Sequence, residues 1–277
     1  MSTETIPASE PRFEFGSNWR RFLERLTPNR ITQAEESVRR ILRVDSLEGR
    51  RFLDVGSGSG LFSLAARRLG AEVVSFDFDP NSVACTMELR RRDASDGVRW
   101  RVERGSVLDV EYLSGLGTFD VVYSWGVLHH TGEMWRALEN VARLVRPDGT
   151  LAISIYNDQG RQSRVWARIK RAYNRMPPWT RWLLVVPSFG LLWGPTILRD
   201  TLRGNPLKSW RGYTGGRGMS AWTDLVDWVG GWPFEVAKPE QIFEFFRARG
   251  FDLVYLSTCG GGLGCNEFAF RAPPEPR

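Results

Sequence analysis

Residues 51–70 of the chain read RFLDVGSGSGLFSLAARRLG. The first five residues predict a short apolar strand, and the segment from Leu61 predicts a helix that ends at Gly70. Between them, glycines at alternate positions allow a sharp turn and leave no Cβ between the main chain and a ligand. The first amides of the helix would face that ligand, because they have no partner within the helix. The stretch therefore predicts a strand–turn–helix unit with a binding site at its turn.

The spacing of the glycines indicates the kind of ligand. A dinucleotide-binding turn follows the pattern Gly-x-Gly-x-x-Gly, which would place glycine at position 61, where this chain has Leu61. The observed pattern is Asp54 followed by Gly56, Gly58 and Gly60. A carboxylate at the end of the strand would repel a pyrophosphate but suits a ligand that carries an ammonium group. The turn therefore favours a cationic nucleoside over a dinucleotide.

The composition is that of an ordinary globular protein, with 42% hydrophobic and 25% charged residues in 277. The three cysteines form no Cys-x-x-Cys pair and there are two histidines, so we expect no metal site and a reducing, cytoplasmic location. The N-terminus shows no apolar signal segment. The net charge of +6 is concentrated between Asp158 and Glu235, where twelve Lys/Arg face five Asp/Glu.

Strands and helices alternate along the chain, which predicts an α/β fold with a doubly wound, seven-stranded, mostly parallel sheet (Rossmann-like) whose seventh strand is antiparallel. After the first strand, the predicted strands are Glu72–Phe76, Val98–Glu103, Phe119–Tyr123, Thr150–Tyr156, Phe251–Leu256 and Asn266–Phe270. Asp77 follows the second strand, 21 residues after Gly56, at about the separation at which a carboxylate accepts both hydroxyls of a ribose. Asp79 and Pro80 then predict the cap and first residue of a helix.

The predicted domain organisation has four parts. Residues 1–12 form a disordered tail, residues 13–44 an N-terminal helical cap, residues 45–157 and 239–271 the core, and residues 158–238 an insertion after the fifth strand. In the cap, Thr32 and Glu35 predict a capping box that opens a helix running to about Arg43. The cap either covers the mouth of the binding site or packs on the sheet.

With four strand-end loops in place, residues 45–157 and 239–271 resemble the class I S-adenosylmethionine (SAM) methyltransferases. The sequence Gly-Val-Leu-His-His at 126–130 resembles the ubiquinone- and menaquinone-type methylases. The resemblance implies SAM as cofactor and S-adenosylhomocysteine (SAH) as product, and it implies a role for each residue. Asp54, Gly56, Gly58 and Gly60 would surround the methionine part of SAM, and Asp77 would hold the ribose hydroxyls. Asp109, or the backbone at Ser106 and Val107, would contact the adenine. Ser124 and Trp125 would flank the sulfonium.

His129 and His130 are the only histidines in the chain, and both follow the fourth strand, where ligands bind in an open α/β sheet. A base assists methyl transfer only when the acceptor has a proton to lose, as a hydroxyl does. We assign His129 as the base and His130 as a structural residue. The predicted reaction is methylation of a hydroxyl on a small-molecule or lipid-like acceptor. The alternatives are a nitrogen, sulfur or carbon acceptor, or SAM binding without turnover; a nucleic-acid acceptor is disfavoured, since no Asn-Pro-Pro-Tyr or Asp-Pro-Pro-Tyr sequence follows the fourth strand.

The insertion, residues 158–238, is predicted to form the substrate lid. After a basic helix over Ser163–Arg175, residues 182–198 contain no charge, but two prolines and two glycines interrupt them, so we expect no membrane-spanning helix. This segment would line the substrate pocket, contact a second subunit or touch a membrane peripherally. Residues 211–235 predict a shaped loop, in which Tyr213 and Arg217 would bind the substrate and Trp222, Trp228 and Trp232 would stack on it. Trp19 and Tyr156 complete the predicted substrate-binding residues.

Overall fold

Seven strands form one sheet in the computed structural model, which describes residue 13 and residues 15–24, 26–93, 99–213 and 221–275. The strands are β1 Arg51–Val55, β2 Glu72–Asp77, β3 Trp100–Arg104, β4 Phe119–Trp125, β5 Val145–Tyr156, β6 Asp252–Ser257 and β7 Cys265–Arg271. Their order across the sheet is β3-β2-β1-β4-β5-β7-β6. β7 runs antiparallel to β5 and β6, and the other neighbouring strands are parallel. The predicted sheet, including its antiparallel seventh strand, is confirmed.

Helices cover both faces of this sheet. They are α1 Gly16–Glu24, α2 Pro28–Leu42, α3 Leu61–Arg68, α4 Pro80–Arg92, α5 Val110–Ser114, α6 Met134–Arg143, α7 Arg161–Arg175, α8 Trp182–Leu202, α9 Lys208–Arg211, α10 Ala221–Gly230 and α11 Pro239–Arg247. Successive residues of β1 enter different cores, since strand side chains alternate between faces. Phe52 packs with α2 and α3 on one side, whereas Leu53 and Val55 pack with α6 and α11 on the other. This burial on both faces explains why apolar residues follow one another at Phe52 and Leu53 instead of alternating with polar ones.

Two predicted helix starts have different outcomes. Asp79 caps α4 as predicted: its carboxylate accepts a hydrogen bond from the Asn81 amide at 2.8 Å, and Pro80 is the first helical residue. The capping box at Thr32 is wrong, because α2 already begins at Pro28 and the Thr32 hydroxyl donates to the Pro28 carbonyl within the helix. Proline fits the first helical position because the amide it lacks would have no partner there.

The segment between β5 and α11 is more helical than its sequence suggests. Pro187 and Pro195 do not interrupt the apolar segment; both lie inside the single helix α8. The carbonyls that lose a hydrogen bond to these prolines belong to Leu183 and Leu191, which are exposed, so water can satisfy them. The predicted loop over residues 211–235 is also partly wrong, since α10 occupies its centre. Aromatic and aliphatic side chains of α7, α8 and α10 form a third core of their own.

The apolar stretch Pro178–Leu202 comprises α8 and the turn before it, and has a mean hydropathy of 1.3 in its most apolar window. By length and composition it could cross a membrane. Eleven per cent of that window is buried in the structure, so most of its residues lie at the surface and not in a core.

Candidate active site

A cavity of about 1130 Å³ opens at the carboxyl ends of the parallel strands. The turn after β1, the end of β2, the loop after β3 and the end of β4 contribute one part of its wall. Residues before α2 and residues of α8 and α10 contribute the other part, which is largely aromatic. The cavity therefore has a strand-end half and an aromatic half in one continuous space.

The glycine turn brings bare main chain to the cavity wall. Gly56 and Gly58 have φ angles of +79° and +54°, which side chains rarely adopt. A Cβ on Gly56 would lie 2.4 Å from a methyl carbon of Val127, and one on Gly58 would lie 3.0 Å from the Trp19 ring. Gly60 begins α3 and packs against Thr86 rather than lining the cavity. The first two glycines thus admit a ligand against the backbone, and the third positions the helix.

Two carboxylates stand beside this turn. Asp54 is buried and accepts a hydrogen bond from the Ser63 hydroxyl at 2.5 Å. Asp77 accepts hydrogen bonds from the Gly58 and Asp79 amides, each at 2.9 Å. Burial raises the pKa of Asp54 to about 7 and that of Asp77 to about 6, and the charge of Asp77 adds to the shift at Asp54. A cationic ligand in the cavity would stabilise both carboxylates in their ionised forms.

Comparison with known proteins identifies this arrangement. A family described as "Methyltransferase domain" matches residues 53–153, which run from β1 into β5. Ubiquinone biosynthesis O-methyltransferase from Xanthomonas campestris pv. campestris (strain B100) is 37% identical over 112 residues, which are 40% of this chain and 45% of that protein. The enzyme of the same name from Parvibaculum lavamentivorans is 29% identical over 141 residues, which are 49% of this chain and 53% of that protein. Residues 53–153 therefore carry a class I SAM-dependent methyltransferase domain.

The matched segments span about half the length of these curated relatives. Solved structures share the fold at low identity. An O-methyltransferase family protein from Burkholderia thailandensis superimposes with a TM-score of 0.53 and 14% identity, covering 89% of this chain and 58% of that one. Magnesium protoporphyrin IX methyltransferase from Synechocystis PCC 6803, solved with bound SAH, superimposes with a TM-score of 0.51 and 14% identity. The match covers 87% of this chain and 82% of that one. The cofactor of this class I methyltransferase domain is SAM.

The cavity fits that cofactor. The bare turn, the acids Asp54 and Asp77 and the Ser106–Val107 loop all lie on its wall. Asp54, Gly56 and Gly58 of the methyltransferase would hold the amino-acid part, Asp77 the ribose, and Ser106 and Val107 the adenine. Trp125 also lines the cavity, with its indole nitrogen donating to Glu267 at 2.9 Å.

Two predicted cofactor residues lie elsewhere in the methyltransferase. Asp109 is exposed and off the cavity wall; it caps α5 by accepting a hydrogen bond from the Tyr112 amide at 3.0 Å. Ser124 is fully buried, and its hydroxyl donates to the Val55 carbonyl at 3.0 Å, which ties β4 to β1. Asp109 thus serves as a helix cap and Ser124 as a contact between two strands. Of the two predicted adenine contacts, the backbone at Ser106 and Val107 therefore remains.

Some of the residues that we predict to bind the acceptor line the cavity, and others do not. Trp19, Tyr156, Tyr213, Trp228 and Trp232 all line the cavity. Trp222 does not: its side chain is 54% exposed and borders a separate small apolar pocket beside α8. Arg217 lies outside the described residues.

The structure places the two histidines differently from the expectation that His129 faces the acceptor. His129 is fully buried and does not line the cavity, whereas His130 does. His130 Nδ1 lies 2.6 Å from the Pro233 carbonyl oxygen, which can only accept a hydrogen bond, so Nδ1 carries the proton and Nε2 is the acceptor. Burial and the charge of Lys170 lower the pKa of His130 to about 3, so the ring stays neutral near neutral pH.

The end of the predicted insertion holds the histidine segment in place. The Glu235 carboxylate accepts hydrogen bonds from the Gly132 amide at 2.8 Å and the Met134 amide at 3.0 Å, at the start of α6. The Glu235 amide donates to the His129 carbonyl at 2.9 Å. A carboxylate at a helix N-terminus satisfies amides that have no other intrahelical partner. The orientation of His130 therefore depends on residues about a hundred positions later in the chain.

Sequence reasoning missed Asp224 and Asp227, which also line the cavity. Both lie on α10, where three-residue spacing puts them on one face. That spacing was a usable signal, but we had predicted a loop there. Asp224 accepts a hydrogen bond from the Tyr213 hydroxyl at 2.5 Å, which joins α10 to the segment after α9.

The raised pKa values of Asp54 and Asp77 predict pH-dependent cofactor binding. SAM is cationic and favours ionised carboxylates, so binding must displace any proton they hold. We expect the SAM affinity to fall as the pH drops through about 7 and then about 6, by up to about tenfold per pH unit for each group. His130 stays neutral over this range, since its pKa is about 3. Calorimetry in buffers of different ionisation enthalpy would measure affinity and proton release; a constant affinity without proton release would contradict the assignment.

Proposed function

We propose that this methyltransferase transfers the SAM methyl group to a hydroxyl of an amphiphilic, lipid-like small molecule. The observation that carries the proposal is that His130 lies on the wall of one cavity that also holds the acid-lined glycine turn and an aromatic wall. The O-methyltransferase relatives support a hydroxyl acceptor. The aromatic side chains Phe15, Trp19, Tyr156, Trp228 and Trp232 support an acceptor with a substantial apolar part.

In this proposal, the bound cofactor supplies a methyl group that is already activated by its positive sulfur. The protein therefore acts mainly by placing the acceptor in line and by excluding water. The aromatic rings hold the apolar part of the acceptor, and His130 Nε2 accepts a hydrogen bond from its hydroxyl. When the hydroxyl oxygen takes up the methyl group, its proton would become acidic and pass to His130 Nε2, from which it would leave to solvent.

The low pKa of His130 indicates which kind of acceptor hydroxyl it could deprotonate. An imidazole with a pKa of about 3 is a weak base, and it accepts a proton late, when the oxygen already carries positive charge. A phenol-type hydroxyl, which is more acidic than an alkyl hydroxyl, suits this base best. The same weak basicity favours one second candidate, a neutral amine, which attacks without losing a proton first.

The experiment that tests this function is transfer of labelled methyl from SAM into lipid extracts, followed by mass spectrometry of the products. We expect a product heavier by one CH₂ whose fragments place the methyl group on oxygen. A methyl group on nitrogen would select the second candidate. Tight SAM binding without any methylated product from aqueous or lipid extracts would contradict both and indicate a binding protein.

His130→Ala should lower the rate of methyl transfer to a hydroxyl by about 10²-fold, because it removes the proton acceptor. Its affinity for SAM should not change, since the glycine turn and its acids are intact. As the matched variant, His129→Asn should mainly lower the melting temperature, because His129 is buried away from the cavity. Full activity in His130→Ala together with loss in folded His129→Asn would restore the original assignment.

A further inference from the structure

Helix α8 and the turn before it carry an exposed apolar surface. We define the α8 face as seven large apolar residues with exposed fractions between 48% and 80%; they are Trp179, Trp182, Leu183, Val186, Leu191, Leu198 and Leu202. Trp179 lies in the turn before α8, and the other six lie along the whole of α8, so together they form an exposed apolar surface that follows the helix. An exposed apolar surface of this length is unusual for a soluble domain and marks an interaction site.

Other residues of the same helix belong to the fold. Val185 and Ser188 are buried, and Val185 packs in the core shared with α7 and α10. Leu192 and Trp193 line the large cavity. Helix α8 thus contributes both to the cavity wall and to the exposed α8 face.

The charges around the α8 face have one sign. Between residues 161 and 213 the sequence contains eleven Lys/Arg and a single acid, Asp200. The Asp200 carboxylate is buried and accepts hydrogen bonds from the Ser209 amide and hydroxyl, so it does not offset the surface charge. Basic residues at both ends of the helix are exposed; they are Arg175, Arg199, Arg203, Lys208 and Arg211.

A small apolar pocket of about 270 Å³ adjoins this face. Val186, Phe189, Leu207, Trp210 and Trp222 line it, and polar atoms contribute almost nothing to its surface. Val186 belongs to the α8 face, and Trp222 is more than half exposed. The pocket has the chemistry to take a short length of hydrocarbon chain that enters from the side of the α8 face.

We propose that the α8 face docks on the interface of an anionic lipid bilayer, with the helix lying parallel to the membrane. Apolar side chains enter the acyl region, tryptophans sit at the headgroup level, and the flanking basic residues meet anionic headgroups. This combination of apolar stripe and single-sign charge at both ends is complementary to an anionic bilayer.

The structure favours lying on the membrane over crossing it. A spanning helix would have to leave the core at Val185 and carry Asp200 out of its hydrogen bonds with Ser209. It would also place the carbonyls freed by Pro187 and Pro195 in hydrocarbon without partners. At the interface, water remains available to those carbonyls.

The docked orientation extends the proposed function, on which this step rests. Because Leu192 and Trp193 of α8 line the cavity, an acceptor dissolved in the bilayer would reach the cavity along this helix. The acceptor class would then be a membrane-dissolved amphiphile with a hydroxyl-bearing head. Vesicle binding tests the docking without any acceptor, so its result is independent of whether methyl transfer is found.

The test is flotation of the full chain with vesicles of phosphatidylcholine, with or without phosphatidylglycerol. We expect binding to the anionic vesicles, weaker binding to the neutral ones, and weaker binding as salt is raised. Combining Leu183→Glu, Val186→Glu and Leu191→Glu should lower the partition coefficient by about tenfold or more. The control Leu256→Glu changes a residue of similar exposure, 46%, on β6, and should bind as the parent does.

A second variant keeps the test decisive if the triple glutamate variant does not fold. Combining Arg199→Glu, Arg203→Glu and Lys208→Glu leaves the α8 face intact and should remove the preference for anionic vesicles. Unaltered melting temperature and SAM affinity show that a variant is folded. Absence of vesicle binding by the parent, or equal binding by the parent and both folded variants, overturns the proposal. A dimer that light scattering detects and the triple variant abolishes, without vesicle binding, also overturns it in favour of a second copy of the chain.

Discussion

Asp77→Ala should weaken the affinity for SAM and for SAH by at least about a hundredfold. The Asp77 carboxylate lies on the cavity wall at the end of β2, and it is the residue that we predict to accept both ribose hydroxyls. Hydrogen bonds to a charged group contribute about 1.5–3 kcal/mol each, and about 1.4 kcal/mol corresponds to tenfold in affinity. Two such bonds therefore account for a hundredfold or more. SAM and SAH share the ribose, so calorimetry should show similar losses for both.

Asp77 also holds the turn, because it accepts hydrogen bonds from the Gly58 and Asp79 amides. The alanine variant therefore loses both a ligand contact and part of the turn's support. Asp109→Ala is the matched control: it also removes a carboxylate from a strand-end loop, but one that caps α5 off the cavity wall. It should cost about 1 kcal/mol of unfolding free energy and leave SAM affinity unchanged. Equal SAM affinity in Asp77→Ala and the parent would show that the ribose site is elsewhere.

Gly56→Ala should abolish detectable SAM binding and lower the melting temperature. The residue has a φ of +79°, and its new Cβ would lie 2.4 Å and 2.6 Å from the two methyl carbons of Val127. The left-handed backbone costs an alanine about 1–2 kcal/mol, and overpacking costs typically about 1–3 kcal/mol more. Relief of the clash moves either the turn or Val127, and both line the cavity. Thermal unfolding and calorimetry on the same sample would measure the two effects.

Gly117→Ala separates the backbone strain from the clash. Gly117 has a φ of +73°, close to that of Gly56, but its Cβ would have no atom within 4 Å, and it does not line the cavity. This variant should lose stability by the backbone cost only and bind SAM as the parent does. If Gly56→Ala binds SAM normally, the turn does not approach the cofactor closely and the assignment of Gly56 is wrong.

Local sequence patterns predicted the strand-end half of the site well. The turn at Gly56 and Gly58, the acids Asp54 and Asp77, and the loop at Ser106 and Val107 all lie on one cavity wall, as expected from their positions after parallel strands. Such residues are brought together by topology, since the carboxyl ends of parallel strands share one edge of the sheet. Asp109 shows the limit of this reasoning, because a carboxylate in a strand-end loop can equally cap the next helix.

The aromatic half was predicted less well, because its geometry depends on contacts between distant segments. The prediction of a loop at residues 211–235 concealed α10, and with it the cavity residues Asp224 and Asp227. His129 lies off the cavity wall although it is the predicted base. Neighbouring residues at a strand end point in different directions, and the sequence does not say which one enters the cavity. That choice is made by the Pro233 carbonyl and the Glu235 carboxylate.

By itself, the sequence determined the class of fold and the cofactor of this methyltransferase domain. An apolar strand, an acid and a glycine turn are local features, and the alternation of such strands with helices predicts a doubly wound, mostly parallel sheet. Only the tertiary structure decided which histidine lines the cavity, and that α8 contributes both to the cavity wall and to an exposed apolar surface. Those outcomes depend on packing and hydrogen bonds between residues up to about a hundred positions apart, and no local pattern encodes them.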